Sequence, residues 1–551
     1  MTPLALTIAT RDAAARLWAS PSLTDASPGP VARWAGRIPP SAVGAVLAVL
    51  AAALSAIGSW SVSLWADEAA TISASTRTVG ELWQLVHRID AVHFGYYLGM
   101  HYWIEVFGRS PVSLRLPSAL AVGLATAGVF ALSRRIGLIP ATAATVAAVF
   151  AVLPRVTWAG IEARSFACTA ACAVWLTYLL VGAIARSNFG RWVGYALLAA
   201  AGIALNIYLV LLLVAHAIAV IVLADRWSTR WHWLTAAGIA GAAVSPIVAI
   251  SAGQSAQVGD AGLTISALTR NVVVNQWFLG GTPTLVSGSG SGASSGAGVS
   301  GSWKYTAVLL AFVAWILVAI AIGVAARKFR STVRGRELIA FLVPEVILPT
   351  LCVVGYTLAV RSLYNPRYFT FCAPALALLI GSGVRALPRR FAGGVAVVLL
   401  ILAIPVYTSQ RQPFAKSSSD WAAVAAFVAA HRDNVSEVYF TPLVAAPIRA
   451  VTQSGSTTRS VAVCYPAAFA GLHDLTLLRT GAADASLTGV SRTLTSSGVD
   501  LGLVGGVLVL RQNDYPAVAA SAEDRLFSAG GLFLAGSFRG PLTSVFEYVR
   551  R

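Results

Sequence analysis

Charged residues are scarce in this sequence. Only 11% of its 551 residues are Asp, Glu, Lys or Arg, whereas 57% are hydrophobic. So few charges cannot cover the surface of soluble domains, and apolar runs of membrane-spanning length recur along most of the chain. The composition therefore excludes a soluble enzyme, a disordered chain and a fibrous protein, and it predicts a polytopic α-helical membrane protein.

Cysteine is also rare, with five residues in the whole chain. Four of them lie inside apolar runs, and Cys464 has no partner outside the membrane. There is no C-x-x-C pair, so the sequence gives no support for a disulfide framework, a redox site or a zinc site. A Gly-rich phosphate loop and solenoid repeats are missing as well.

Acidic residues are outnumbered by basic ones, 22 against 40, for a net charge of +18. Nearly all of the basic residues are Arg, and the three lysines are Lys304, Lys328 and Lys416. The basic groups lie in short loops between apolar runs, which is the pattern of the positive-inside rule. The charge therefore indicates membrane topology, and we expect membrane lipids but no nucleic acid as partners.

The apolar runs predict a fold of about eleven transmembrane helices. The spans lie at 41–63, 113–133, 138–154, 166–185, 192–206, 208–224, 233–252, 304–326, 338–360, 368–386 and 391–408. An odd number of spans places the two termini on opposite sides of the membrane. Residues 1–40 contain Arg but no apolar stretch of signal-peptide type, so we expect them to form a cytoplasmic tail.

The orientation follows from the Arg clusters. Arg134/Arg135, Arg385/Arg389/Arg390 and the group at 327–336 all fall on one side of this threading, which the positive-inside rule places in the cytoplasm. Most acidic residues of the membrane part, such as Asp67 and Asp260, fall on the other side. We therefore expect a multi-pass protein of the plasma membrane with its candidate active site on the extracytoplasmic face.

Three segments interrupt the apolar pattern. The outer loop 64–112 is long, and the outer loop 253–303 ends in a Gly/Ser-rich stretch, 287–302, that we expect to be disordered or to form a mobile lid. Within 409–551 charge returns and the apolar runs shorten. There, 438–440 and 506–510 resemble strands, and Asp420 precedes a helix at 421–430 that it would cap. We expect a catalytic transmembrane domain at 41–408 and a small extracytoplasmic α/β domain at 409–551.

The most informative segment directly follows the first span. Asp67 and Glu68 stand side by side at the outer end of an apolar helix. Desolvation there would raise the pKa of a carboxyl group and make it a better general base within reach of a lipid-borne substrate. The alternative is that one of the two carboxylates merely caps the next turn.

The rest of the first outer loop predicts amphipathic helices. Thr78 and Glu81 have the spacing of a capping box. Four apolar residues follow on one helical face, which suits a helix lying on the membrane: Leu82, Leu85, Val86 and Ile89.

An aromatic-rich stretch follows in the same loop. It contains Tyr97 and is bracketed by His93 and His101. The two histidines lack a Cys or a tight carboxylate set, so we predict no metal site and no required cofactor, with a divalent cation left as an alternative.

Charged groups also stand at two later outer turns. Glu162 and Arg164 precede one span; they are either functional or a mutual ion pair. Arg361 and Arg367 flank a short loop before another span, where Arg side chains suit bidentate binding of a phosphate. The alternative is an ordinary basic loop.

The order of these motifs resembles a known family. An outer Asp67-Glu68 is followed by amphipathic loop helices, Arg115-Leu116-Pro117-Ser118 opening one span, Glu162-Ala163-Arg164-Ser165-Phe166 opening another, and Arg367-Tyr368 opening a late one. Over about 41–390 this resembles the GT-C glycosyltransferases, especially the protein O-mannosyltransferases and the lipid A aminoarabinose transferase. Two details depart from the family pattern. His93-Phe94-Gly95 stands where members often have His-Pro-Pro. The second loop of members often reads Arg-Glu-Ala-Arg, whereas here Gly160-Ile161 precede Glu162, so only Glu162 and Arg164 carry over.

The resemblance implies an inverting glycosyltransferase that uses a polyprenyl-phosphate sugar on the outer membrane face. It implies Asp67 as the catalytic base, and we add Glu68 as its neighbour in catalysis. The donor phosphate is assigned to Arg164 and Arg367, with Arg361 as the fallback. Five further residues are expected to contact substrate: His93, Tyr97, Glu162, Tyr364 and Tyr368.

Within the family the chain most resembles actinobacterial members, including those that add mannose caps to lipoarabinomannan. The expected reaction moves mannose to a hydroxyl of a cell-envelope glycan or lipoglycan; an arabinosyltransferase and a protein O-mannosyltransferase are the alternatives. Two other classes compete. A lipid-linked sugar flippase explains the spans but not the charges gathered at one face. A surface receptor or scaffold does not explain Asp67 and Glu68.

Overall fold

Eleven apolar helices run through the computed structural model, which describes residues 39–255, 264–279, 302–442 and 458–550. The predicted tail, apart from its last two residues, and nearly all of the Gly/Ser-rich stretch lie outside these ranges, as does Asp260. The chain divides into residues 1–43, of which only 39–43 are described, and one compact unit spanning 44–551.

The helices up to residue 409 are named in chain order. They are α1 (Pro40–Ala56), α2 (Ala66–Ser75), α3 (Val79–Arg88), α4 (Phe94–Phe107), α5 (Pro111–Arg135), α6 (Pro140–Val152), α7 (Pro154–Ala159), α8 (Phe166–Ala185), α9 (Phe189–Leu205), α10 (Val210–Leu223), α11 (Trp227–Gly253), α12 (Ile265–Arg270), α13 (Ser302–Arg327), α14 (Val333–Glu337), α15 (Val343–Ala359), α16 (Ala373–Ala386) and α17 (Arg389–Ser409). Short 3₁₀ turns lie at Ala91–His93, Ile207–Leu209 and Pro366–Cys372, and π-helical turns lie at Asn271–Leu279 and Leu338–Leu342.

Each of the eleven predicted spans falls on an apolar helix. Among the described residues seven helices are long and apolar enough to cross a membrane: Pro111–Arg135, Phe166–Ala185, Trp227–Gly253, Trp303–Arg327, Gly335–Ala359, Pro366–Ala386 and Arg389–Ser409. Four further apolar helices are shorter: Pro40–Ala56, Pro140–Val152, Phe189–Leu205 and Ile207–Leu223. The chain is therefore a multi-pass membrane protein, while the count of eleven crossings and the side of each terminus stay predictions.

The first span is shorter than predicted. Helix α1 ends at Ala56, and Gly58 follows with a φ of +77°, a left-handed conformation that glycine adopts without steric cost. The carbonyl groups of Ser59, Val62 and Ser63 then accept hydrogen bonds from the guanidinium group of Arg115, at 2.5, 2.8 and 3.1 Å. Because Arg115 is distant in sequence, the end of the helix at Ala56 could not be predicted from the apolar pattern of 41–63.

Helix α3 begins with the predicted capping box. Glu81 N–H donates to Thr78 Oγ1 at 3.3 Å, and Thr78 N–H donates to Glu81 Oε2 at 3.0 Å. Its apolar face, however, does not face lipid. Leu82, Leu85 and Val86 are completely buried in a protein core that includes side chains of the C-terminal region. The interpretation of this face as a membrane-lying surface was wrong, because periodicity alone does not distinguish lipid from protein.

The C-terminal region forms a small α/β unit. Its elements are α18 (Trp421–His431), β1 (Glu437–Phe440), α19 (Arg459–Cys464), β2 (His473–Asp474), β3 (Leu477–Arg479), α20 (Gly481–Asp484), β4 (Val490–Ser491), β5 (Gly506–Gln512), α21 (Ala517–Ala529), β6 (Leu532–Arg539) and β7 (Thr543–Arg550). Short 3₁₀ turns lie at Arg432–Asn434, Pro466–Phe469, Leu494–Ser496 and Leu501–Leu503. The strands form a five-stranded sheet of order β2-β1-β5-β7-β6, and β3 pairs with β4. Both predicted strands are present, in β1 and β5.

Asp420 does precede helix α18, but its side chain does not cap it. The carboxylate instead accepts hydrogen bonds from the backbone N–H groups of Leu542 and Thr543, at 2.8 and 2.7 Å. The predicted cap was therefore wrong, since a partner more than a hundred residues away outcompetes the local one.

The C-terminal unit packs directly against helix α2. Ser73 Oγ donates to Leu487 O at 2.6 Å, and the guanidinium group of Arg77 donates to Ser486 O. The N–H group of Leu64 donates to Tyr465 Oη at 2.9 Å. These contacts fix the start and the end of the segment that carries Asp67.

Candidate active site

Helix α2 carries both predicted carboxylates in its first turn. The segment before it is held in a non-helical conformation by Arg115, so the helix begins abruptly at Ala66. Neither carboxylate serves mainly as a cap, because each one pairs with cations from other parts of the chain. The two carboxylates pair with different cations.

Glu68 is the centre of a buried ionic cluster. It is 0% exposed, and its carboxylate accepts hydrogen bonds from Arg115 Nε at 2.8 Å and Arg115 Nη2 at 2.6 Å. It also accepts the N–H group of Ala163 at 3.0 Å, and Lys416 Nζ lies 3.9 Å away. Burial alone would raise the pKa of Glu68, but Arg115 and Lys416 hold it below its usual value.

Asp67 faces two other cations and is partly open. Its side chain is 23% exposed; Arg367 Nη1 lies 2.5 Å from Oδ2 and Arg164 Nη2 lies 3.4 Å from Oδ1. Burial would raise the pKa of Asp67, but the two guanidinium groups outweigh it and lower the pKa to about 2. The expectation of a raised pKa was therefore wrong, since the sequence did not show that both Arg side chains converge on this carboxylate.

Glu162 lies beside the same Arg pair. It is 0% exposed, and its Oε1 atom lies 3.5 Å from Arg367 Nη1. Neither carboxylate oxygen has a hydrogen-bond donor among the described residues. The mutual ion pair of Glu162 with Arg164 is not formed, because the side chain of Arg164 is directed to Asp67 and Tyr97.

Arg164 also belongs to a hydrogen-bond chain. Its Nη1 donates to Tyr97 Oη at 2.9 Å, and Tyr97 Oη donates to Asp90 Oδ2 at 2.9 Å. Burial raises the pKa of Asp90. The ring of His93 lies 5.7 Å from that of Tyr97, and burial together with Arg164 lowers the pKa of His93 well below its usual value. His93 is therefore neutral at pH 7.

The late outer loop contributes one charged residue to this group. Arg367 lies at the start of the 3₁₀ turn Pro366–Cys372, and its N–H group donates to the capping side chain of Asn365 at 3.3 Å. Tyr368 stacks on Tyr208 with ring centroids 5.1 Å apart, and Tyr364 Oη donates to Gln276 Oε1 at 2.7 Å.

The structure thus brings five predicted residues together: Asp67, Tyr97, Glu162, Arg164 and Arg367. Glu68, His93 and Tyr368 lie at the margin of this group, and Tyr364 lies on another side of the loop. No ion pair or side-chain hydrogen bond joins Arg361 to the group within the described ranges.

Two residues of the site were missed. Arg115 was recognised only as part of a motif, although its guanidinium group holds Glu68 and three backbone carbonyl groups. Lys416 was recognised only as one of three lysines, although it is 0% exposed beside Glu68. The rarity of lysine, with three residues among 40 basic ones, was the one available signal.

The site is made of carboxylates alternating with guanidinium groups. Within the described part of the chain, no group of three or more His, Cys, Asp or Glu side chains has the arrangement of a metal site. Each of the two cations beside Asp67 retains an unused donor: the Nε groups of Arg164 and Arg367 are buried and have no partner among the described residues. Such orphan donors are unusual in a folded interior and indicate a place for an anionic ligand.

The sequence of this chain matches a known protein family over part of its length. A model of the dolichyl-phosphate-mannose-protein mannosyltransferase family matches residues 92–250. No curated protein sequence matches the chain significantly.

Solved structures give longer matches. The crystal structure of ArnT from Cupriavidus metallidurans in the apo state covers 91% of this chain and 97% of its own, with a TM-score of 0.56 and 12% identity. The same protein bound to undecaprenyl phosphate covers the same shares, with a TM-score of 0.54 and 13% identity. The arabinofuranosyltransferase AftD from Mycobacteria matches with a TM-score of 0.48 and 14% identity, over 91% of this chain and 39% of that one.

The ArnT matches extend over the helical bundle and the C-terminal sheet. At these identities they show the fold, and they confirm the predicted GT-C type membrane fold with a small C-terminal α/β domain.

Proposed function

We propose that this protein is a membrane glycosyltransferase that moves a sugar from a polyprenyl-phosphate donor to a hydroxyl group of a cell-envelope glycan. One observation carries the proposal: a partly open carboxylate, Asp67, lies between two guanidinium groups whose Nε donors are unused. A base next to a phosphate-binding pair is what this reaction requires. The match to a mannosyltransferase family model and the undecaprenyl phosphate in an ArnT structure support it.

In the proposed reaction the acceptor oxygen attacks the anomeric carbon of the donor. The bond from that carbon to the phosphate oxygen breaks, and the polyprenyl phosphate leaves with the bonding electrons. Asp67 takes the proton of the acceptor hydroxyl group. Arg164 and Arg367 stabilise the charge that develops on the phosphate, so no acid catalyst is needed. A single displacement inverts the anomeric centre.

Donor binding would also change Asp67. Without donor, both guanidinium groups are bound to its carboxylate, which lowers its pKa to about 2 and makes it a weak base. A phosphate competes for the same cations, and shared cations lower the pKa of a carboxyl group less. Binding of the donor phosphate would thus make Asp67 a stronger base for the acceptor hydroxyl group.

The sugar, acceptor and side of the membrane are finer parts of the proposal. We propose mannose as the sugar, which the match to the mannosyltransferase family supports. We further propose a lipoglycan such as lipoarabinomannan as the acceptor. The reaction would take place on the extracytoplasmic face, at the end of the bundle that carries the C-terminal sheet. The proposed mechanism requires no cofactor.

The test is transfer by purified protein in nanodiscs. Labelled polyprenyl-phosphate mannose and polyprenyl-phosphate arabinose are each offered with a mycobacterial-type lipoglycan, and the product is analysed by mass spectrometry. Asp67→Asn should lower kcat by about a hundred- to ten-thousand-fold, because it keeps the shape but loses the base.

The matched control is Asp433→Asn, since Asp433 is 92% exposed on the C-terminal unit. It should keep the wild-type rate. If only the arabinose donor gives product, the proposed sugar is arabinose and not mannose. Normal turnover by Asp67→Asn would refute the assignment of Asp67 as the base. Donor movement across the bilayer without any transfer would favour the flippase.

A further inference from the structure

The segment after the last membrane helix lies against the segment that precedes Asp67. Ser63 N–H donates to Pro413 O at 2.9 Å, and Ser419 Oγ donates to Leu64 O at 2.6 Å. These two bonds fix residues 413–419 at both ends. The residues between 413 and 419 therefore have little conformational freedom.

Lys416 stands between them and points into the protein. Its side chain is 0% exposed, and its Nζ atom lies 4.4 Å from the ring centroid of Trp158 and 5.8 Å from that of Trp65. Among the described residues Nζ has no hydrogen-bond partner. Burying an ammonium group in this way is costly unless negative charge is near. Glu68 Oε1 supplies it at 3.9 Å.

The backbone is strained at the same place. Ser417 and Ser418 follow Lys416 with φ values of +51° and +59°, the left-handed region. For residues other than glycine such a conformation is sterically unfavourable and persists only where the surroundings enforce it. Two consecutive residues of this kind turn the chain back after it has inserted the Lys416 side chain.

We infer that Lys416 is a positioning residue of the active site, supplying from the segment after the last helix the buried positive charge that keeps Glu68 in its ionic cluster. This inference rests on the proposed function. Glu68 binds the N–H group of Ala163, and Ala163 lies between Glu162 and Arg164. Lys416 thereby helps to fix the loop that brings Arg164 to Asp67.

The pH dependence follows from the charges around Lys416. Glu68 and Asp67 face it from α2, Glu162 from the loop before α8, and Arg115 from α5. Burial lowers the pKa of Lys416 to about 8, although the three carboxylates oppose the shift. Above that pH the ammonium group is lost, the Glu68 cluster lacks one cation, and the rate should fall.

Stability should change in the opposite direction. The pKa of Lys416 is about 8 in the folded protein and 10.5 in the reference state, so between these values the unfolded chain binds more protons. The folded state therefore becomes more stable as the pH rises from 8. A residue with a merely structural role would not lower the rate while it raises stability.

The experiment compares Lys416→Arg and Lys416→Met with the wild type from about pH 6 to about pH 10. The guanidinium group stays protonated throughout, so Lys416→Arg should keep kcat and lose the fall above pH 8. Lys416→Met should lower kcat about tenfold or more below pH 8, with a smaller change in donor KM, and its difference from the wild type should shrink above pH 8, where the wild-type lysine is itself neutral. Lys328→Met, on an exposed lysine, is the matched control.

The same fall above pH 8 in wild type and Lys416→Arg would overturn the inference, as would wild-type kcat in Lys416→Met below pH 8. If Lys416→Met does not fold, the comparison of wild type with Lys416→Arg decides alone, by rate and by unfolding temperature. Absence of transfer by the wild type would instead overturn the proposed function, and the inference with it.

Discussion

The substitution Arg367→Lys separates phosphate binding from simple charge. Arg367 Nη1 makes both ion pairs of this side chain, at 2.5 Å to Asp67 and 3.5 Å to Glu162, which leaves the rest of the guanidinium group for a ligand. A lysine keeps the positive charge but offers one ammonium group for three anions. It would hold either the carboxylates or the donor phosphate, not both.

The expected size of the effect follows from the hydrogen bonds that lysine cannot make to the phosphate. A hydrogen bond to a charged group contributes about 1.5–3 kcal/mol, which corresponds to about a ten- to hundredfold change in binding. We therefore expect the donor KM of Arg367→Lys to rise by about this factor. Folding should be less affected than donor binding, because lysine keeps the positive charge beside Asp67 and Glu162 and the Arg367 side chain is 20% exposed.

The assay measures initial rates of transfer at varied donor concentration, with Arg361→Lys as the comparison in the same loop. Both variants make the same chemical change, but of these two arginines only Arg367 forms an ion pair with Asp67 among the described residues. An unchanged donor KM in Arg367→Lys would refute the phosphate assignment. A large increase in Arg361→Lys alone would transfer it to the fallback residue.

Three more outcomes test other parts of the structure. Glu68→Gln should lower the unfolding temperature and the yield of folded protein, because it leaves Arg115 buried without its charge partner; equal stability in a thermal unfolding assay would contradict the cluster. Asp67 has a pKa of about 2 when folded against 3.8 in its reference state, so its ionic contacts stabilise the fold above about pH 4 and lose that effect as the pH falls toward 2; Asp67→Asn should show a smaller loss of stability over this range. A reporter fused after Arg336 should be cytoplasmic and one after Arg551 extracytoplasmic, and both on one side would contradict the eleven-span model.

Much of the fold could be predicted from the sequence because lipid imposes a simple rule. A helix that crosses the membrane must be apolar along its length, so each predicted span coincides with an apolar helix. Local signals were equally reliable where both partners are close in sequence, as in the capping box of Thr78 and Glu81. Strands β1 and β5 were recognisable from short apolar runs, Val-Tyr-Phe at 438–440 and Gly-Val-Leu-Val-Leu at 506–510.

The errors share one physical cause, which is a partner distant in sequence. Arg115 breaks the first span, Leu542 and Thr543 remove Asp420 from its cap, and the C-terminal region covers the apolar face of α3. The predicted shift in the pKa of Asp67 had the wrong direction for the same reason. Desolvation was visible in the apolar flank, whereas the positions of the two guanidinium groups depend on how separate parts of the chain pack.

The dipeptide Asp67-Glu68 shows what a motif does and does not contain. Successive residues on a helix point about 100° apart, so adjacent carboxylates do not face each other. Asp67 turns toward the open side, where it is 23% exposed and meets Arg164 and Arg367, whereas Glu68 turns inward and is 0% exposed beside Arg115. The two residues are therefore not an acid–base pair that shares a proton. One carboxylate is available to a substrate, and the other holds in place the chain segments from which the first obtains its cations.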